Sequence, residues 1–155
     1  MDDYVFLRRM LGSDYQIALI GVNDKVREKL PDSIICLPKT DSIEKLAFIY
    51  SMADVVTSLS YAESLGMTPI EGMACGTPAI VYDNTAQPEL IDEQCGQVVP
   101  TGNIEALKVA VEIVRTNGNS YYSKACVTRA NKFFDKDKRY SDYINLYKEL
   151  CGQKN

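Results

Sequence analysis

The chain has 155 residues, a formal net charge of −4, five scattered cysteines and no histidine. This length suits one domain with a single hydrophobic core. No apolar run reaches the roughly 18 residues that a membrane helix needs. The lack of histidine excludes an imidazole base or metal ligand, and with it Ser-His or Cys-His catalysis. Because the cysteines show no zinc or redox spacing, we expect free thiols in a reducing, cytoplasmic setting and no metal site.

Short apolar segments alternate with helical patterns along residues 1–118. The predicted strands are 17–22, 34–37, 55–58, 79–82 and 97–99, and the predicted helices are 4–11, 25–29, 43–52, 69–75 and 104–116. Continuous apolar runs are typical of strands that are covered on both faces. Alternation of strand and helix predicts an α/β fold, a Rossmann-like doubly wound parallel sheet in a single domain.

Gly118 separates this predicted sheet core, residues 1–118, from a tail at 119–151 with two further helices, 121–134 and 140–150. Residues 1–118 carry a net charge of −8, whereas residues 119–155 carry +4 and seven aromatic side chains. Basic and aromatic residues together can indicate nucleic acid or an anionic membrane surface. Interleaved acidic residues instead favour amphipathic helices whose aromatic side chains face a partner domain, so we expect no nucleic-acid partner.

Three helix starts carry capping residues. Asp41, next to Ser42, is predicted to cap helix 43–52, and Asn103 to cap helix 104–116. Thr68 and Glu71 have the spacing of a capping box, with a proline at the first helical position. In that interpretation Glu71 serves the helix entrance and binds no ligand. Gly72 in the same helix is expected to allow close packing on the sheet.

The segment from residue 61 to 82 carries the strongest functional signal. Glu63 and Glu71 lie eight positions apart, with Gly66 and Pro69 between them. The segment follows predicted strand 55–58, so it lies at the carboxyl edge of the sheet, where ligands bind. A helix N-terminus there offers unpaired N–H groups to a phosphate, and a carboxylate one turn further in can accept hydrogen bonds from sugar hydroxyls. Both properties suit a nucleotide sugar.

Four motifs stand out in this region: Ala53-Asp54-Val55-Val56-Thr57-Ser58, Glu63-Ser64-Leu65-Gly66, Glu71-Gly72-Met73-Ala74-Cys75-Gly76-Thr77-Pro78 and Pro88-Glu89. Together they resemble the donor-site core of retaining family-4 glycosyltransferases with the GT-B fold, and the resemblance runs from about residue 3 to 150. The resemblance implies a C-terminal, donor-binding domain. The N-terminal acceptor domain, and a strand and loop whose Arg and Lys grip the donor diphosphate, would be absent from this fragment. A sheet that lacks one strand leaves an exposed edge, so we expect homodimers through that edge.

The resemblance also implies roles for individual residues. Glu63 would contact the transferred sugar, as the candidate catalytic residue, and Glu71 would accept hydrogen bonds from the ribose. The predicted donor-binding residues besides Glu71 are Gly21, Leu37, Lys39, Ser64, Leu65, Gly66, Met67 and Thr68. The chain departs from the family at Ser64, where glycine is common, at Leu65, where phenylalanine is common, and at Asn84-Thr85, which replaces a glycine pair.

The function that the resemblance implies is transfer of a hexosyl unit from a nucleoside diphosphate sugar to a hydroxyl acceptor, without a cofactor or essential metal. The expected setting is polysaccharide or glycolipid synthesis, with peripheral contact of the full-length protein at the inner face of the membrane. Two alternatives stay open: a GT-B-like sugar-nucleotide epimerase, and a non-catalytic doubly wound nucleotide-binding or interaction module. A receiver domain is disfavoured because Ser58, not an aspartate, ends strand 55–58.

Overall fold

The computed structural model describes residues 1–152 and confirms an α/β fold with parallel strands. In chain order its elements are α1 (Asp2–Met10), β1 (Ile17–Ile20), α2 (Asp24–Arg27), β2 (Ile34–Leu37), α3 (Ile43–Met52), β3 (Val56–Ser58), α4 (Met67–Ala74), β4 (Ala79–Tyr82), α5 (Gln87–Leu90), β5 (Gly96–Val99), α6 (Ile104–Asn117), α7 (Asn119–Phe133) and α8 (Lys136–Leu150). The short helix α5 is the one element that the sequence did not predict, since a single turn has too few residues to show a period.

The parallel strands form two separately hydrogen-bonded sheets. Strand β1 pairs with β2, and β4 lies between β3 and β5. On β3, the backbone oxygen of Thr57 accepts a hydrogen bond of 3.2 Å from the hydroxyl of Tyr4 in α1. A helix side chain thus occupies an acceptor that a further strand would otherwise pair with. All strands of one parallel sheet end at the same edge, so the loops after β3, β4 and β5 meet there.

The hydrophobic core is centred on β4, whose four residues are all completely buried. Helix α4 packs directly on the neighbouring strand: a Cβ added at Gly72 would lie 2.8 Å from Cγ2 of Val56. Real Cβ atoms do not approach that closely, so only glycine fits. The prediction that Gly72 allows close packing of its helix on the sheet is confirmed, since α4 contacts Val56 of β3 at this position.

Two of the predicted helix starts are corrected. Ser42 caps α3 by accepting from the backbone N–H of Lys45, whereas Asp41 forms an ion pair with the Lys45 ammonium at 2.6 Å. The capping box is wrong, because α4 begins at Met67 with Gly66 as its N-cap, which leaves Thr68 and Glu71 inside the helix. Gly66 at φ 77 turns the chain into the helix before Thr68 is reached. The cap at Asn103 is confirmed, with 2.9 Å to the Ala106 N–H.

The two helices after Gly118 differ in burial. Tyr122, Cys126 and Ala130 of α7 lie in the chain's own core, whereas α8 has no buried residue. The expectation that the tail aromatics face a partner domain is therefore wrong for Tyr122. The division into a core and a tail stays a prediction.

All five cysteines are free, and none of the helices described between residues 1 and 152 is long and apolar enough to cross a membrane.

Candidate functional site

The site predicted from sequence lies in the loop after β3 and the first turns of α4. Gly66 ends this loop with φ 77, and a Cβ there would lie 3.2 Å from Cγ of Glu63. Positive φ is costly for any residue with a side chain, so glycine is needed for the turn. The turn presents the N–H groups of Met67 and Thr68, both exposed, which have no carbonyl within the helix to bond. Together with the helix dipole, these groups form a weak anion-binding surface.

Glu71 lies in the second turn of α4, half-buried, one turn deeper than the free N–H groups. Its Oε2 accepts a hydrogen bond of 2.9 Å from the hydroxyl of Tyr50, in the last turn of α3. Burial and the nearby Glu71 carboxylate raise the pKa of Tyr50 to about 12, so the phenol stays protonated and acts as a donor. Glu71 therefore has one oxygen fixed by the protein and the other available to a ligand.

Tyr50 is itself held firmly. Its residue is 8% exposed, and its backbone oxygen accepts a hydrogen bond of 2.6 Å from the hydroxyl of Thr77, which is completely buried in the turn between α4 and β4. Helix α3 is thereby tied to the middle of α4 and to the turn that follows it. The sequence did not point to Tyr50, because a tyrosine in an apolar helix is typical of core packing and gives no signal of its partner.

Glu63 lies in the loop, half-buried, and its carboxylate accepts from the backbone N–H of Ser64 at 3.0 Å. Its backbone is bound by a second loop: the Thr85 hydroxyl, after β4, donates to the Glu63 oxygen at 2.6 Å and accepts from the Glu63 N–H at 3.2 Å. Leu65 beside it is exposed. The position of Glu63 thus depends on two loops that follow neighbouring strands.

The remaining predicted residues lie on the other sheet. The Gly21 N–H donates to the Leu37 oxygen at 3.0 Å, and a Cβ added at Gly21 would lie 3.9 Å from the Cα of Lys39. These three residues are therefore neighbours at the carboxyl ends of β1 and β2. Within residues 1–152, no hydrogen bond or ion pair joins them to Glu63 or Glu71. The structure brings the predicted site residues together in two groups, one on each sheet.

Side chains from two loops and from α5 support the first group. Asn84 donates to the Ser60 oxygen at 2.7 Å and to the Thr101 hydroxyl at 3.2 Å, and Gln87 donates to the same Ser60 oxygen at 3.1 Å. Gln87 is completely buried although it is polar. Sequence reasoning missed the role of these residues. The one signal available was that Asn84-Thr85 stands where the resembled family carries a glycine pair.

The described residues contain no group of three or more acidic, cysteine or histidine side chains that could hold a metal ion. Anion binding at the helix N-terminus and hydroxyl binding at two carboxylates are what this geometry can do chemically.

Comparison with known proteins identifies the family. The profile described as "Glycosyl transferases group 1" matches residues 11–133. The chain belongs to this family. This group 1 chain is 33% identical, over 105 residues, to a D-inositol 3-phosphate glycosyltransferase from Mycobacteroides abscessus. The aligned region covers 67% of the chain and 24% of that relative. A relative of the same description from Rhodococcus erythropolis is 50% identical over 40 residues, 26% of the chain and 9% of the relative.

Solved structures confirm the GT-B type of fold. A sucrose-phosphate synthase from Thermosynechococcus elongatus superposes with a TM-score of 0.84 and 26% identity, covering 99% of this group 1 chain and 42% of that chain. The Anabaena protein HepE, solved in complex with UDP-glucose, superposes with a TM-score of 0.77 and 18% identity, covering 96% of the chain and 45% of HepE. The chain therefore spans about a quarter of the first relative and less than half of each of these two structures.

Proposed function

We propose that this chain forms the donor-binding half of a retaining glycosyltransferase, which moves a hexosyl unit from a nucleoside diphosphate sugar to a hydroxyl acceptor. The observation that carries the proposal is the position of Glu71, one turn inside α4 and fixed by Tyr50, beneath the free N–H groups of Met67 and Thr68. Family membership supports glycosyl transfer as the reaction class. One helical turn, about 5.4 Å, separates the two features along the axis of α4.

In this proposal the donor diphosphate lies against the N-terminus of α4, the ribose hydroxyls donate to Glu71, and the transferred sugar contacts Glu63. The Glu71 carboxylate faces away from the phosphates, since like charges repel. The N–H groups stabilise the negative charge that develops as the diphosphate departs. Retention follows from attack on the leaving-group face, with a phosphate oxygen taking the acceptor proton. No side chain of this chain acts as a base in that scheme, and no metal is needed.

UDP is the first nucleotide to test, because HepE, whose fold this chain shares, was solved with UDP and with UDP-glucose. The Arg and Lys that the family carries upstream would supply the remaining diphosphate contacts. The isolated chain is therefore expected to bind donor weakly and to catalyse no transfer. Detectable transfer by this chain alone would contradict the proposal.

The test is an amide NMR titration of the chain with UDP, GDP and ADP in turn. We expect one nucleotide to shift the signals of Gly21, residues 64–68 and Glu71. The Glu71→Ala variant should weaken binding of that nucleotide about tenfold or more, since it removes hydrogen bonds to a charged acceptor, each worth about 1.5–3 kcal/mol. Glu93→Ala is the matched control, because Glu93 is an exposed glutamate in the loop that precedes β5, at the opposite edge of the sheet.

The absence of shifts with any of the three nucleotides at millimolar concentration would count against the proposal for this chain. Equal weakening by Glu71→Ala and Glu93→Ala would show that the effect is one of overall charge.

For the whole protein, we propose a cytoplasmic enzyme of polysaccharide or glycolipid synthesis that contacts the inner face of the membrane. The N-terminal acceptor domain would be its structural partner.

A further inference from the structure

The loop that carries Glu63 is fastened at two points by the loop after β4 and the first residue of α5. At its start, the Ser60 oxygen accepts from Asn84 at 2.7 Å and from the buried Gln87 at 3.1 Å. In its middle, the Thr85 hydroxyl bonds both the backbone oxygen and the backbone N–H of Glu63, at 2.6 and 3.2 Å. A single hydroxyl that bonds both backbone groups of one residue restrains the two peptide planes on either side of its Cα. The Glu63 side chain then leaves the loop in a defined direction.

Thr85 makes these contacts from a strained backbone conformation. Its φ of 44° makes it the one non-glycine residue with positive φ among the residues that the structure describes. For a β-branched residue this conformation is a true outlier. Strain of this kind persists where surrounding contacts enforce it, and it is concentrated at functional sites. A glycine here would remove the strain and the hydroxyl together.

We propose that Thr85 is a positioning residue, which fixes Glu63 for contact with the sugar of the donor; this rests on the proposed function. The proposed donor has two parts, a nucleotide and a sugar, which contact different residues. Glu71 and the α4 N-terminus serve the nucleotide, and Thr85 is bonded to neither. Glu63 serves the sugar, and Thr85 is bonded directly to its backbone. Loss of Thr85 should therefore affect the recognition of the sugar and leave nucleotide binding in place.

Three variants separate the hydroxyl from the backbone strain. Thr85→Ala removes the hydroxyl and keeps a Cβ at positive φ, Thr85→Gly removes both, and Thr85→Ser keeps the hydroxyl as the conservative control. The probes are UDP and UDP-glucose, titrated by NMR into each variant of the full chain. A second readout is hydrogen exchange of the Glu63 amide, which requires no ligand.

We expect Thr85→Ala and Thr85→Gly to lower UDP-glucose affinity about threefold to tenfold, the range that one ordinary hydrogen bond gives. UDP affinity should stay within about twofold, because these contacts do not involve the nucleotide. The Glu63 amide should exchange faster in both variants. Thr85→Ser should restore the affinity and the slow exchange. A purely structural residue would lower the affinities for both ligands together.

Unchanged exchange at Glu63 in Thr85→Ala would overturn the proposal even if UDP binds normally. Equal loss of UDP and UDP-glucose affinity would overturn it as well. If the unaltered chain binds UDP but gains nothing from the glucose, the role of Glu63 in sugar contact is wrong and the nucleotide site stands. If it binds neither ligand, the proposed function fails, and the sugar role of Thr85 with it.

Discussion

The hydroxyl of Tyr50 donates a hydrogen bond of 2.9 Å to Oε2 of Glu71, and this bond joins helix α3 to helix α4 at the candidate nucleotide site. The two residues are 21 positions apart in the chain. An ionised carboxylate that accepts one fixed hydrogen bond has fewer rotamers available, and its second oxygen points in a defined direction. The bond therefore restricts the Glu71 carboxylate in the absence of any ligand.

Tyr50→Phe should weaken UDP and UDP-glucose binding by the same factor, about threefold to tenfold, because it removes one hydrogen bond to the carboxylate that serves the nucleotide. The measurement is the NMR titration used for Glu71→Ala. Tyr4→Phe is the control, since Tyr4 bonds the backbone of β3 and not Glu71. A larger loss for UDP-glucose than for UDP would contradict this assignment.

Tyr50 also makes the stability of the chain depend on alkaline pH. Its pKa is raised from 10.0 to about 12, first by burial and then by Glu71. The folded state thus holds the phenol proton more tightly than the unfolded state. The stabilisation that the protonated Tyr50 phenol gives the folded state is fully present below pH 10 and is lost as the pH rises towards 12. Unfolding in urea from pH 8 to 11.5 should show a smaller decline in stability for Tyr50→Phe than for the unaltered chain.

Asp3 should contribute to stability much more than its neighbour Asp2. Asp3 is 8% exposed and accepts a hydrogen bond of 2.6 Å from the completely buried Tyr82, whereas Asp2 is exposed. Asp3→Ala leaves a buried hydroxyl without its acceptor, so we expect a loss of about 1–3 kcal/mol in the free energy of unfolding. Asp2→Ala should change it by less than about 0.5 kcal/mol. Urea unfolding measures both, and equal effects would contradict the role of Asp3.

Gly72→Ala should destabilise the chain although alanine is the better helix former. The new Cβ would lie 2.8 Å from Val56, and overpacking of this kind costs about 1–3 kcal/mol. Adding Val56→Ala should recover part of that loss, because it removes the clashing methyl groups. Gly12→Ala is the control, since a Cβ at Gly12 meets nothing within 4 Å. A Gly72→Ala variant as stable as the unaltered chain would show that α4 can move away from β3.

Open strand edges predict self-association. Strands β1 and β2 form a sheet of two, so each has one unpaired edge, and Ala18 of β1 is exposed. Light scattering over a concentration series should detect a dimer, and Ala18→Lys should weaken it, because lysine on an edge strand opposes pairing. A strictly monomeric profile at high concentration would rule out association through this edge.

The sequence predicted the order of strands and helices well because the apolar runs are short and separated by clear turns. Helix 43–52 and strands 34–37 and 79–82 have the predicted bounds. It failed at the start of α4. Gly66 rather than Thr68 caps this helix, because backbone at positive φ, which glycine adopts readily, sets the entry to the helix.

The candidate site was predictable only in part, for a related reason. Glu63 and Glu71 form a pattern along the chain, so the sequence alone nominates them as candidates. Tyr50 and Thr85 act through partners about 20 residues away, and no local pattern encodes such contacts. Family resemblance directed attention to the residues that would touch a ligand. The residues that orient them became visible only from their hydrogen bonds.

The division of the strands into two hydrogen-bonded sheets has a thermodynamic consequence for any ligand that contacts both. Gly21, Leu37 and Lys39 lie at the carboxyl ends of β1 and β2, whereas Glu63 and Glu71 lie in the loop and helix that follow β3 of the other sheet. A nucleotide that touches both groups would cross-link the sheets, and its binding energy would add to the free energy that holds them together. At 100 times its dissociation constant that addition is about 2.7 kcal/mol. Saturation with donor would then raise the melting temperature of the chain.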